Sequence, residues 1–339
     1  MEDPDINDRI LLSATHLSVG YSNKGSAKVL FNNLNFQIHT GELVCFMGAN
    51  GIGKSTLIRT LAGLQPPLQG KIELRFPDNS FQPLHHPEPE FIALVLTDKI
   101  NAHNLTVEEL LLSGRYPFIN WRMQTGTADQ VKINQAVEAV RINHLLPRRL
   151  NELSDGQMQL VMIARALVQD TPLLLLDEPT AHLDLNNRVE IMNLLRHLAH
   201  RLNKGIVVAT HELDLALQTT DRIWLAGDRQ GILSGIPEDL VLDGTFDEIF
   251  QLKGFDLKTG RVFHKPWRGI AVTVRGDGHP LLWTRNALER SGYRIDNSSI
   301  HIISIAQHEN GKLTWTLGDQ SFSSLHSLLN HMQTGLPMN

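Results

Sequence analysis

Residues 48–56 read Gly48-Ala49-Asn50-Gly51-Ile52-Gly53-Lys54-Ser55-Thr56, the pattern G-x-x-x-x-G-K-[ST]. In such a segment the glycines let backbone N–H groups turn toward phosphate oxygens, and the helix that follows offers its positive N-terminal end. Lys54 is placed to hold β- and γ-phosphates, and Ser55 to ligate Mg²⁺. A second constellation, Asp177-Glu178, follows the apolar run Leu173-Leu174-Leu175-Leu176. An acidic pair at the C-terminal edge of a parallel strand lies where open α/β sheets bind ligands. There Asp177 can hold Mg²⁺ and Glu178 can polarise a water; the plainer alternative is a pair that caps the next helix. Third, Leu153-Ser154-Asp155-Gly156-Gln157 opens a helical stretch. A serine, a glycine and unpaired amides at a helix start form an anion site. Alone, such a segment is more often a plain N-cap; with phosphates already served by the loop at Gly48, a second phosphate-binding element makes sense if it faces a neighbouring subunit's nucleotide.

The elements that must carry these residues follow from the hydrophobic pattern. Leu43 to Met47 is apolar throughout and precedes the glycine loop, and Leu57, Ile58, Leu61 and Ala62 recur at helical spacing after it. That is the first strand and helix of an α/β core. Leu173 to Leu176 and Ile206 to Ala209 have the continuous apolar character of central parallel strands. Before them, Ile10 to Tyr21 and Phe36 to Phe46 contain short β-prone runs that suggest a small antiparallel layer. Pro77 to Glu90 is proline-rich and polar and reads as a surface loop before a strand over Phe91 to Leu96; its adjacent His85 and His86 lack a further placed metal ligand. Capping-box patterns at Thr106–Glu109 and Thr127–Gln130, followed by Ile133, Ala136, Val137 and Val140, predict a helical insertion at about 98–158. Past Phe255 the pattern changes, with strand-like runs at Ile270–Val274, Ile300–Ile305 and Leu313–Leu317 and helix-like runs at Leu281–Ser291 and toward Met332. These predict a separate α/β domain over 265–339 beside a main domain over 10–255. Trp283, Trp315 and Phe322 are expected in its core.

Composition bounds the rest. With 339 residues, 42% hydrophobic and 20% charged, the chain has the make-up of a globular protein of two domains. A net charge of −5 without a long basic run argues against nucleic acid as the partner. The single cysteine, Cys45, lies within an apolar run, which suits a packing role in a reducing cytosol. An acidic start, Met1-Glu2-Asp3-Pro4-Asp5, does not read as a signal peptide, and no apolar stretch approaches the roughly 20 residues that span a bilayer. Any membrane association is therefore expected through a partner.

The phosphate loop, the segments LSDGQ, LLLLDEP and AHLD, and a histidine after an apolar strand (VVATH, His211) occur in the order and spacing of ABC transporter ATPases. Over roughly the first 250 residues the chain resembles that family. The resemblance implies a P-loop NTPase core with an antiparallel β-layer and a helical insertion, binding ATP and Mg²⁺. By position, Tyr21 matches the aromatic that stacks on adenine, though an ordinary strand aromatic is the alternative, and Thr56 matches the α-phosphate contact. Glu178 matches the catalytic base, and His211 the residue at the γ-phosphate. Ser154 and Gly156 match the signature that closes over ATP of the opposite subunit, and Ala181 to Asp184 the loop joining the two sites. A head-to-tail homodimer is implied.

Two positions depart from the family. Thr97, followed by Asp98, stands where a glutamine reaches Mg²⁺ in the family, so the resemblance puts Thr97 at the metal site, where its shorter side chain calls for a bridging water, Asp98 or a changed coupling geometry. Asp155 stands where the signature has glycine. Leu105 to Leu110, Ser113 to Pro117 and the AHLD segment look like importers of ferric siderophores, haem and cobalamin. That type implies permease subunits in the membrane, a substrate-binding protein outside, and an ATPase on the cytoplasmic face of the inner membrane. Arg115, Tyr116 and Trp121 either line the permease contact or pack a helix-turn core. Two other readings share the motifs: a soluble ABC-type ATPase in translation or DNA repair, and a low-turnover regulatory module suggested by Thr97 and Asp155.

Overall fold

The computed structural model opens with two long antiparallel strands, β1 (Ile10–Asn23) and β2 (Ser26–His39). It describes residues 9–23, 26–97, 104–118, 126–227, 231–250, 254–258, 260–262, 264–308 and 311–335. The register of β1 against β2 shifts at several bulges, and β4 (Gln69–Arg75) and β5 (Phe81–Pro83) extend the layer in the order β2-β1-β4-β5. Strand β2 begins ten residues before the Phe36 expected from sequence. Its polar Asn32, Asn33 and Asn35 hide it, and they are occupied in the fold: Asn32 Oδ1 accepts the Ser18 hydroxyl at 2.8 Å, and Asn33 and Asn35 both bond His16.

Strand β3 (Leu43–Gly48) belongs to a second sheet and leads into helix α1 (Lys54–Leu61). With β6 (Ile92–Val95), β7 (Leu173–Asp177), β8 (Gly205–Ala209), β9 (Arg222–Ala226) and β10 (Ile232–Gly235) it forms a six-stranded sheet ordered β10-β9-β3-β8-β7-β6. All neighbours are parallel except β10 on β9. Strands β3, β7 and β8 are buried along their whole length, as continuously apolar central strands require. Strand β6 is shorter at both ends than the sequence run suggests. The main core lies where residues of both sheets meet: Phe31 packs edge-on to Phe46 at 5.8 Å and Phe36 tilts on Trp224 at 4.4 Å. Cys45 on β3 is buried, and burial pushes its thiol pKa up, which keeps it protonated.

Between β6 and β7 come the helices α2 (Val107–Ser113), α3 (Thr127–Val140) and α4 (Asp155–Leu167). Helix α2 starts in the expected capping box: Thr106 Oγ1 accepts from Glu109 N at 3.2 Å, and Glu109 accepts from Thr106 N at 2.8 Å. Helix α3 differs from expectation. Its cap is Gly126, whose N–H donates to the Asp129 carboxylate at 2.9 Å, while Gln130 bonds Asn134 instead. Arg115 packs within this region, with Nε 2.8 Å from Asp129 and the guanidinium 4.2 Å above Phe118. Tyr116 is exposed; Trp121 and Asp98 lie outside the described residues. Helices α5 (Leu185–Arg201), α6 (Leu213–Thr219), α7 (Pro237–Leu242) and α8 (Thr245–Phe250) complete this part.

The chain divides into two units, Met1–Gln251 and Leu252–Asn339. The second contains a small hairpin, β11 (Phe255–Asp256) and β12 (Arg261–Val262), that the sequence reading assigned to the end of the first domain and its linker. Beyond it, β13 (Ala271–Arg275), α9 (Gly278–Arg290), β14 (Arg294–Ile295), β15 (Ile302–Gln307), β16 (Leu313–Leu317), β17 (Gln320–Phe322) and α10 (Leu325–Gly335) form a five-stranded sheet with two helices. The strand order is β14-β13-β15-β16-β17. Trp315 is core, 7% exposed, with its indole N–H donating to Thr284 Oγ1 at 2.8 Å, and Phe322 packs beside it. Trp283 is a correction. At 64% exposed it lies outside the core, because Thr284, Ala287 and Leu288 form the inward face of α9 and Trp283 falls beside that face.

Candidate functional site

The register of the parallel sheet assembles the site. Phe46 on β3 and Asp177 on β7 both pair with Ala209 on β8, so three strand ends align on one edge. Backbone bonds lock that edge: Thr210 N donates to Phe46 O at 3.0 Å, and Glu178 N to Ala209 O at 2.9 Å. The glycine loop, the acidic pair and His211 therefore emerge side by side, at the carboxyl ends where open α/β sheets take ligands.

In the loop, Gly51 and Gly53 have φ of 78° and 117°, conformations that suit glycine. A Cβ at Gly53 would also stand 2.9 Å from Leu30 Cδ1. Asn50 and Gly51 are exposed at the tip, while Ser55 and Thr56 lie in the first turn of α1. Lys54 is only 6% exposed; its ammonium donates to the carbonyls of Gly48 at 3.0 Å and Ala49 at 3.4 Å. Burial lowers its pKa, and the charges of Glu178 and Asp177 oppose that shift.

Asp177 is buried, and burial raises its pKa; a hydrogen bond from Ser55 lowers it and the neighbouring Glu178 charge raises it again. Its Oδ1 has no hydrogen-bond partner among the described residues. A buried carboxylate oxygen without a donor is costly, and a hard divalent cation would satisfy it. With the Ser55 hydroxyl alongside, the donor set fits Mg²⁺. Thr97, at the end of β6, donates its hydroxyl to the Asp177 carbonyl at 2.9 Å, which joins it to the backbone of the acidic pair.

Glu178 stands at φ 48°, in the left-handed region that costs a non-glycine residue about 1–2 kcal/mol. The bond from its N–H to Ala209 and one from Ala181 N to its carbonyl at 3.1 Å hold it there. The carboxylate lies between the Lys54 ammonium, with Nζ at 3.9 Å, and the His211 imidazole, with Nδ1 at 3.2 Å. Strained backbone of this kind concentrates at functional sites.

Tyr21 is half-exposed, and its hydroxyl lies 2.6 Å from Thr56 Oγ1, so the side chain is anchored to the first turn of α1. A second cluster joins the signature to the loop before α5. Ser154 caps α4, accepting from Gln157 N at 3.2 Å, and Asp184 caps α5, accepting from Asn187 N at 2.9 Å. Asn187 also presses on Gly156, where a Cβ would stand 2.8 Å from its side chain. Sequence reading missed Asn187, Arg188 and Glu212. The signal for Glu212 was its place directly after His211; the other two are tied to the site only by contacts in space.

The Achromobactin transport ATP-binding protein of Dickeya dadantii is 33% identical over 245 residues, covering 71% of this chain and 88% of the relative. The Petrobactin import ATP-binding protein of Bacillus anthracis is 35% identical over 242 residues, covering 70% and 86%. The ABC transporter family model matches residues 31–181. The chain belongs to the ABC transporter ATP-binding proteins. As an ABC ATPase it binds and hydrolyses ATP. A solved metal-chelate type ABC transporter in an inward-facing conformation shares its fold, with TM-score 0.62, 30% identity, and coverage of 72% of this chain and 90% of that one. A bacterial ABC transporter cassette solved as a dimer matches with TM-score 0.56 at 25% identity, covering 67% of this ABC ATPase and 99% of that chain. In the second unit, residues 269–333 match the iron ABC transporter C-terminal domain.

Proposed function

We propose that this ATPase powers import of a ferric siderophore or a related metal chelate, such as haem or a cobalamin-like compound. The observation that carries the reading is the second unit, whose match to the iron ABC transporter C-terminal domain accompanies a cassette related to achromobactin and petrobactin transport proteins. Among the described residues no helix is long and apolar enough to cross a membrane. The reading places the membrane path in separate permease subunits, with two copies of this chain beneath them at the cytoplasmic face and a substrate-binding protein on the far side. The domain over 265–339 is accessory to the cassette over 10–255.

In this reading Tyr21 lies against adenine, Thr56 meets the α-phosphate, and the backbone of Gly48, Asn50, Gly51 and Gly53 wraps the phosphates. Lys54 holds the β- and γ-phosphates. Ser55 and Asp177 hold Mg²⁺, with Thr97 fixing the backbone beside them; when bound, the ion offsets negative charge on the phosphate oxygens. Glu178 accepts a proton from water, whose oxygen bonds to the γ-phosphorus as the bond to the bridging oxygen breaks and ADP leaves. His211 orients that water against the γ-phosphate. Ser154 and Gly156 close over the ATP of the partner subunit, and Asp184 fixes the loop between the two sites.

The test is uptake of iron-labelled siderophores and haem and of cobalt-labelled cobalamin by cells that lack the gene, carry it, or carry Glu178→Gln. The reading expects uptake of at least one of these chelates to be lost on deletion, restored by the native gene and not by the variant. Uptake of siderophore, haem and cobalamin-like compounds that is unchanged by deletion would overturn it.

A further inference from the structure

Two charged residues outside the recognised motifs join the loop at 181–184 to His211. Arg188 Nε donates to the Leu183 carbonyl at 2.6 Å, and Nη1 of the same guanidinium lies 2.8 Å from Glu212 Oε2. The other Glu212 oxygen stands 3.8 Å from His211 Nε2, and His211 Nδ1 stands 3.2 Å from Glu178. A chain of polar contacts thus runs from the loop carbonyl through Arg188, Glu212 and His211 to Glu178. Each link is seated by its own element. Glu212 N donates to Thr210 Oγ1 at 3.0 Å, just past the end of β8, and Arg188 lies in the first turn of α5, which Asp184 caps.

The guanidinium is a rigid planar fork, so its two bonds cannot move independently. Arg188 and Glu212 are both partly shielded from solvent, unlike the exposed pairs that contribute little. A displacement of the Leu183 carbonyl must therefore stretch one bond of the fork or carry Glu212 with it. Resting on the reading that His211 acts at the γ-phosphate, we propose that Arg188 and Glu212 are positioning residues that transmit the state of the 181–184 loop to His211. Hydrolysis then depends on how that loop is held.

A simple staple between α5 and the segment before α6 would lower stability when cut and leave the chemical step alone. Steady-state hydrolysis by the purified full chain with Mg²⁺-ATP separates the two, with melting temperature measured alongside. Arg188→Ala and Glu212→Ala are each expected to lower kcat about tenfold with KM for ATP within about twofold, the pattern of a group that acts only in the transition state. The double variant is expected to lose no more than the worse single one, because both cut the same path. Arg188→Lys keeps charge without the fork and is expected to behave like Arg188→Ala, while Glu212→Gln, which still accepts from Arg188, retains more activity than Glu212→Ala. Single variants with kcat within twofold of the native chain, or losses that multiply in the double variant, would overturn the coupling. A native chain without turnover, or full turnover in Glu178→Gln, would overturn the ATPase reading itself and is distinguishable from either.

Discussion

His211 Nδ1 stands 3.2 Å from Oε2 of Glu178, at the ends of two adjacent parallel strands. The other Glu178 oxygen faces the buried ammonium of Lys54 at 3.9 Å, so one carboxylate links the phosphate loop to the strand end that carries the histidine. Glu178 and His211 follow the ends of adjacent strands, and the glycine loop after β3 carries Lys54 back to them, so sheet register and loop together assemble the three.

Asp177, being buried, costs the nucleotide-free chain stability. Its pKa is raised chiefly by burial, so its ionised form destabilises the nucleotide-free fold above that pKa, and the cost disappears as pH falls and the group protonates. Asp177→Asn is therefore expected to raise the melting temperature of the nucleotide-free chain at neutral pH by about 2 °C. The gain shrinks as pH falls through the carboxylate range, and the variant loses most of the stabilisation that Mg²⁺-ATP gives the native chain. Thermal melts across pH, with and without Mg²⁺-ATP, measure both effects.

Thr97 bonds the Asp177 carbonyl, so its loss should loosen the acidic pair. Thr97→Val keeps the shape and removes the donor, at a cost of about 1 kcal/mol. Stability should drop by that amount in denaturant titrations, and more Mg²⁺ should be needed for half-maximal hydrolysis, whereas Thr97→Ser stays close to native.

Gly156 has no room for a side chain, since a Cβ would stand 2.8 Å from Asn187. Gly156→Ala should displace the start of α4 or the Asn187 side chain and lower kcat about tenfold or more, with ATP affinity of the isolated chain little changed. Gly156→Ala combined with Asn187→Ala makes space and should recover part of the loss, as read from paired kinetics.

Tyr21 contributes through its ring more than its hydroxyl. Tyr21→Phe removes a half-exposed bond to Thr56 and should change ATP affinity by about threefold or less. Tyr21→Ala removes the stacking face and should weaken it by about tenfold. Titration with a fluorescent ATP analogue ranks the two.

Much of the site was legible because its chemistry is local in sequence. The loop Gly48–Thr56 states its own geometry through glycines at fixed spacing, and Asp177-Glu178 announces itself at the end of an apolar run. What stayed hidden is set by contacts between distant positions. Thr97 meets the carbonyl of a residue 80 positions away, and Arg188 meets Glu212 across 24. Strand β2 escaped because its asparagines bond across to β1 rather than marking a turn. For Arg115 the sequence left a partner contact and a packed core equally open, and its bond to Asp129, 14 positions on, could be seen only in space. Trp283 was assigned to the core on size alone, while the spacing of Thr284, Ala287 and Leu288 decides which face of α9 turns inward.

The most direct test is steady-state ATP hydrolysis by the purified chain with Mg²⁺ at several protein concentrations, beside Glu178→Gln. Turnover per chain is expected to rise with concentration as two copies complete each other's sites, and to fall about 100-fold or more in the variant while ATP still binds. Turnover that is independent of concentration, or that survives in Glu178→Gln, would contradict a two-site ATPase with Glu178 as its base.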